Sequence, residues 1–225
     1  MNKQRMPAPI RTHDGSHTLL HPQLLEHYHS IHGAIAESMH VFIEYGVMEV
    51  SAIPIHILEI GMGTALNALL TRIEADKNCR QTYYTTLEPF PISNQTASTL
   101  NYASQLNVSH HDFMILHHSS WETMHTFSPF FHFIKIKSTI QQYNADSKFN
   151  LIYFDAFSPD KMPEMWTEDV FEKILQMLHP GGIMVTYCAK GSVRRLLMRV
   201  GFEVIKKPGP PGKREMTLAI KKNSN

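Results

Sequence analysis

Short apolar runs alternate with segments in which apolar residues recur at helical spacing, and this alternation organises most of the chain. Ile53 to Ile60 (IPIHILEI) is a bounded apolar run, the pattern of a strand buried on both faces of a parallel sheet. After it the pattern predicts helix at Thr64 to Ala75, strand at Tyr83 to Leu87, helix at Ser93 to Gln105, and strands at Phe131 to Ile136 and Leu151 to Phe154. Helix at Glu164 to Leu178, strand at Ile183 to Tyr187, helix at Ser192 to Val200, and strands at Phe202 to Ile205 and Met216 to Ile220 complete the series. Strands and helices taking turns in this way predict an α/β fold, a doubly wound and mostly parallel sheet with helices on both faces. The last two strands, separated only by a Pro/Gly loop, are expected to pair as an antiparallel hairpin or to lie apart.

Upstream, Arg11 to His21 centres on Asp14-Gly15 and reads as a short hairpin, and His32 to Val50 carries Ala36, Met39, Val41, Phe42 and Tyr45 at helical spacing. Residues 1–50 are thus expected to pack as hairpin and helix on a core formed by 51–225, one structural domain overall. A chain of 225 residues, 43% hydrophobic, is large enough to bury such a core. No run reaches the ~18 apolar residues of a membrane span, and the first residues are not followed by an apolar signal core. Cys79 and Cys188 are too few and too far apart for a disulfide framework or a paired-cysteine zinc site. A soluble, cytoplasmic protein with free thiols is expected.

The net charge of +1 hides an asymmetry: Lys190 to Lys222 carries +8 and the remainder −7. The basic end is either a phosphate-facing surface or an ordinary solvated face.

Four segments could carry chemistry. Glu59-Ile60-Gly61-Met62-Gly63-Thr64 leaves a strand and enters a helix, and glycines at 61 and 63 permit a tight turn and close approach of a ligand to the backbone. The third glycine of a dinucleotide fingerprint would fall at Leu66, so a ligand with an amino-acid tail and a ribose fits better than a pyrophosphate. Glu88, at the end of the next strand, is placed to accept the two hydroxyls of a ribose, or is a solvated loop acid. Asp155, directly after LIYF, points into the same crevice, where a carboxylate orients an amine and accepts its proton; its other reading is a cap on the segment that follows. Gly209 to Glu215 (GPPGKRE) is a stiff loop whose Lys213 and Arg214 either clamp a phosphodiester or hold the hairpin by pairing with an acid. The histidines at 110, 111, 117, 118, 125 and 132 lack the spacing and partners of zinc ligands, and no metal is expected.

Together LEIGMGTALNALL (Leu58 to Leu70), LEPFPIS (Leu87 to Ser93), YFDAFSPDKMPEMW (Tyr153 to Trp166) and GGIMVTYCAKGSVRRLLMRVGFEV…GPPGKREM (Gly181 to Met216) resemble the methyltransferase domain of the bifunctional tRNA 5-methylaminomethyl-2-thiouridine biosynthesis enzymes and their single-domain relatives. Asp14 to Ser16 (DGS) and Tyr28 to Phe42 (YHSIHGAIAESMHVF) resemble the same family, and residues 110–150 match it least.

The resemblance implies a Rossmann-like class I methyltransferase that moves a methyl group from S-adenosyl-L-methionine to the exocyclic amine of 5-aminomethyl(-2-thio)uridine at the tRNA wobble position. Glu59, Gly61, Met62, Gly63 and Glu88 would bind the cofactor, and Asp155 would be catalytic. Phe157 and Trp166 would stack on a base splayed from the anticodon loop, with core packing as their alternative role. Lys213 and Arg214 would contact tRNA. Where the family tends to place an acid for the adenine amine this chain reads IKIKSTI, which leaves that contact to Ser138, Thr139 or backbone. The bifunctional enzymes continue into an FAD-dependent oxidase whereas the sequence stops at Asn225, so methylation without FAD is expected, with a separate oxidase acting upstream. Two competing readings are an aminopropyltransferase-like enzyme using Asp155 and Asp160, and a non-catalytic tRNA-binding module.

Overall fold

A computed structural model describes residues 8–145 and 147–223. Its centre is an eight-stranded sheet of β3 (Ile55–Ile60), β4 (Thr82–Leu87), β5 (His125–Ser128), β6 (Phe131–Ile136), β7 (Phe149–Phe154), β8 (Leu178–Thr186), β9 (Phe202–Pro208) and β10 (Glu215–Lys221), in the order β5-β6-β4-β3-β7-β8-β10-β9. Strands β6, β4, β3, β7 and β8 run parallel; β10 is antiparallel to β8 and β9, and β5 is antiparallel to β6. The expected doubly wound sheet is therefore present, with its last two strands paired as a hairpin. From β3 the chain winds outward through β4 and β6, then returns to the other side of β3 with β7. The order reverses between β3 and β7, and a crevice opens at the carboxyl ends of strands flanking such a reversal.

Five of the six β3 residues are buried, as both faces are covered. One face packs against α1 (Ala34–Ser38), α2 (Leu66–Lys77) and α5 (His110–His118) through Ile55, Ile57, Leu66, Leu69 and Phe113. The other packs against α6 (Glu168–Met177) and α7 (Gly191–Val200) through Leu58, Ile60, Phe171, Ile174 and Leu197. Helix α6 buries Val170, Phe171, Ile174 and Met177, a single stripe at helical spacing.

The N-terminal hairpin forms from β1 (Ile10–Arg11) and β2 (His17–Thr18), with Ile10 opposite Thr18. Its Asp14 accepts hydrogen bonds from Thr12 Oγ1 at 2.7 Å and from the Ala36 N–H at 2.9 Å, tying the turn to α1. Leu19, Val41, Phe42 and Ile43 join the same core as β3 and α2.

Two expectations change, and two unexpected elements appear. The helix expected over His32 to Val50 is α1 followed by a π-helical turn at Met39–Glu44 and a 3-10 turn at Val47–Glu49. The helix expected over Ser93 to Gln105 is two single turns, α3 (Asn94–Ala97) and α4 (Tyr102–Gln105). Ser98 Oγ and Thr99 Oγ1 donate to the carbonyls of Gln95 and Thr96, a local competition that ends helices. Helix α5 and strand β5 are the unexpected elements, although Ser109-x-x-Asp112 before an apolar run is a helix-start pattern. Ser109 caps α5 by accepting from the Asp112 N–H at 3.0 Å, and the buried Lys135 ammonium donates to the carbonyls of Leu116 and His117 at its far end. Burial pulls the Lys135 amine down to about 8.

Among the described residues no helix is long and apolar enough to cross a membrane, and no group of three or more His, Cys, Asp or Glu is arranged to hold a metal ion. Cys79 is exposed and Cys188 buried, both as free thiols.

Candidate active site

The crevice at the β3/β7 reversal is a cleft of about 440 Å³, within the size range of small-molecule sites. Gly61 to Gly63 follow β3, Glu88 follows β4, Asp155 follows β7 and Tyr187 follows β8, and all of them line it. The turn needs its glycines. Gly61 has φ +94°, and a Cβ there would lie 2.8 Å from the Asp155 carbonyl oxygen. Gly63 has φ +49°, and its Cβ would lie 3.0 Å from the Tyr28 ring.

Glu88 is anchored by the backbone on both oxygens: the Gly63 N–H donates to Oε2 at 3.0 Å and the Phe90 N–H to Oε1 at 2.8 Å. Burial raises its carboxyl above the ordinary value, against the pull of those two donors. Each oxygen keeps a second lone pair, so the group fits two adjacent hydroxyls such as those of a ribose.

Asp155 forms the floor. Burial, with the nearby Glu37 charge, pushes its carboxyl up to about 7, opposed by the Asn67 hydrogen bond and Lys213. The Asn67 amide donates to Asp155 Oδ2 at 2.8 Å and to Glu59 Oε1 at 3.1 Å. Glu37, from α1 and 6% exposed, accepts from the Ser30 N–H at 2.8 Å and pairs with Lys213 Nζ at 2.6 Å. At the rim the Phe157 ring meets His21 and Tyr28 edge-on, with centroids 5.2 and 5.1 Å apart. Glu26 closes the same side by accepting from the Ser158 hydroxyl at 2.9 Å.

Gly61, Met62, Gly63, Glu88, Ser138, Asp155, Phe157 and Lys213 all line this cleft. Three expected site residues sit elsewhere. Glu59 is fully buried beneath the cleft, where it accepts from Thr86 Oγ1 at 2.7 Å, and burial pushes its carboxyl up to about 8. It therefore reaches the cleft only through Asn67. Trp166 is a core residue: its ring packs on Phe154 at 4.9 Å and its Nε1–H donates to the Phe157 carbonyl at 2.8 Å, so it supports Phe157 from behind instead of stacking on a base. Arg214 is exposed and lies outside this cleft, whereas the Lys213 ammonium turns inward to Glu37; the two residues share a second, surface pocket with Lys190.

Sequence reasoning missed Glu37, Asn67, Tyr28 and Tyr187. For Asn67 a signal existed, since it lies one helical turn beyond Gly63 on the helix that leaves the glycine turn; the others reach the cleft only by folding.

The chain matches an S-adenosyl-L-methionine-dependent methyltransferase family model over residues 118–222. It is 30% identical over 239 residues to the tRNA 5-methylaminomethyl-2-thiouridine biosynthesis bifunctional protein MnmC of Cupriavidus metallidurans, covering 97% of this chain and 34% of that one. It is 31% identical over 183 residues to MnmC of a Marinomonas species, covering 72% and 25%. A crystal structure of MNMC2 from Aquifex aeolicus superimposes with a TM-score of 0.77 at 25% identity, covering 99% of this chain and 73% of that one. The chain thus spans about a third or less of the length of these curated relatives.

The family model and these relatives make the chain a methyltransferase that depends on S-adenosylmethionine, and its sheet is that of the class I enzymes. Within that class the chain is a relative of the methyltransferase part of MnmC.

Proposed function

We propose that this methyltransferase transfers the methyl group of S-adenosylmethionine to the exocyclic amine of 5-aminomethyl(-2-thio)uridine at the wobble position of tRNA. The observation that carries the proposal is the placement of Asp155, a carboxylate lining the cleft beside the Gly61–Gly63 turn, oriented by the Asn67 amide at 2.8 Å, with burial raising its proton affinity. An alkylamine is an ammonium at pH 7 and has no lone pair for attack until a base removes its proton. A carboxylate with a pKa near 7 is suited to bind that ammonium and take the proton.

The cofactor, when bound, supplies an electrophilic methyl group on a sulfonium. Glu88 would accept the ribose hydroxyls, the Gly61–Gly63 backbone would pass close to the methionine tail, and the Ser138–Thr139 segment would line the adenine end. Asp155 would take one proton from the substrate ammonium and hold the freed amine in line, so that the new N–C bond forms as the S–C bond breaks. The sulfur keeps that bond's electron pair as a neutral thioether, and the product leaves as a methylated ammonium. Phe157, held edge-on between His21 and Tyr28, offers an aromatic face to a base splayed from the anticodon loop, and Arg214 offers a cation to the phosphates. This work belongs in the cytoplasm, after an oxidation that exposes the amine.

Of the two acids the aminopropyltransferase-like reading uses, only Asp155 lines the cleft; Asp160 pairs with Lys190 and is largely exposed. A non-catalytic tRNA-binding module would show no calorimetric signal with S-adenosylmethionine. The deciding experiment is incubation with labelled cofactor and tRNA lacking the final methyl, followed by nucleoside mass spectrometry. One added methyl on the aminomethyl nucleoside is expected; an unmodified nucleoside with a competent cofactor site would reject the proposed substrate.

A further inference from the structure

We propose that Lys213 is a positioning residue of the amine site: held between the Glu37 carboxylate and the Tyr187 ring, its ammonium neutralises Glu37 and so leaves Asp155 as the carboxylate that receives the substrate's ammonium. The inference rests on the amine-methylation reading above and assigns Lys213 a role other than contact with tRNA.

The geometry is that of a built cation site. Lys213 Nζ lies 2.6 Å from Glu37 Oε1 and 4.1 Å from the centroid of the Tyr187 ring. The Tyr187 hydroxyl donates to the Ala156 carbonyl at 2.9 Å, which fixes the ring next to Asp155 in the chain. Glu37 is held from its other side by the Ser30 N–H, so the ion pair has little freedom. Lys213, Glu37, Tyr187 and Asp155 all line the one cleft.

The electrostatics follow. Two poorly solvated carboxylates facing one cleft compete for a proton, and one of them is driven towards its neutral form. A fixed cation on Glu37 removes that competition. Asp155 is faced by Glu37 from α1, Lys213 from the β9–β10 loop, Glu59 from β3, Tyr84 from β4 and Tyr187 after β8, with the neutral Asn67 amide from α2. Lys213 is the cation in this set, and it lowers the proton affinity of Asp155 where Glu37 raises it.

The test is carbon-13 NMR of the side-chain carboxylates, with the Asp155 resonance assigned by its loss in D155N, titrated without cofactor or tRNA. Lys213→Met is expected to raise the Asp155 midpoint by about one pH unit and Glu37→Gln to lower it. The double variant should return towards the wild type, and Lys213→Arg should stay near it. Should Lys213→Met fail to fold, Glu37→Gln and Lys213→Arg still decide the matter. An unmoved midpoint in Lys213→Met or in Glu37→Gln would overturn the inference. Because the titration needs no turnover, failure of the tRNA assay would reject the proposed substrate without touching this measurement.

Discussion

The side-chain amide of Asn67 donates to Asp155 Oδ2 at 2.8 Å, so the acid at the cleft floor is oriented by a residue on the helix that begins at the glycine turn. The same nitrogen lies 3.1 Å from Glu59 Oε1 and links the cleft to a carboxyl buried beneath it. Removing this donor frees the Asp155 rotamer and strengthens its hold on a proton. Asn67→Ala is expected to lower turnover about tenfold and to move the acid limb of the pH profile upward, with cofactor affinity nearly unchanged. A pH profile identical to the wild type would show that Asn67 serves only packing.

Asp155→Asn retains shape and one acceptor but loses the charge, so turnover should fall on the order of a hundredfold or more. Its residual rate should rise with pH towards the pKa of the free amine, about 10 for a lysine-like group. Stability should move the other way. The folded-state pKa of about 7 lies above the ordinary Asp value of 3.8, so the native state binds the proton more tightly and stability is lost as pH rises through that window. Thermal unfolding at pH 8 should therefore find Asp155→Asn more stable than the wild type, with the gap closing below pH 4. Near-normal methylation at pH 7 would leave Asp155 as a structural cap.

Gly63→Val should abolish S-adenosylmethionine binding in calorimetry while circular dichroism stays native. The added side chain starts 3.0 Å from the Tyr28 ring and must adopt φ +49°. Undiminished affinity would remove the turn from the cofactor site.

Arg214→Ala should weaken tRNA binding and reduce the slope of log affinity against log salt by about one, as expected for one lost phosphate contact. Cofactor affinity should not change, since Arg214 does not line the main cleft. An unaltered slope would make Arg214 part of a solvated face.

The sequence alone determined the parallel core and the three groups at its strand ends. Buried strands announce themselves as bounded apolar runs, and the carboxyl ends of parallel strands all open on one side. Gly61, Glu88 and Asp155 therefore had to share a crevice once β3, β4 and β7 were recognised. The same logic failed where position depends on distant chain. Glu37 and Tyr28 come from an N-terminal segment folded across the crevice, and no local periodicity records that crossing. Lys213 and Arg214 are neighbours with the same charge, yet the buried Glu37 draws one inward while the other stays in water. Trp166 and Phe157 are both aromatic residues near Asp155, and only the packing of Phe154 and Phe171 around the indole decides which is core and which is rim. Strand ends are set by local pattern, whereas the choice of partner for a buried charge or ring is set by whichever group the finished fold brings within reach.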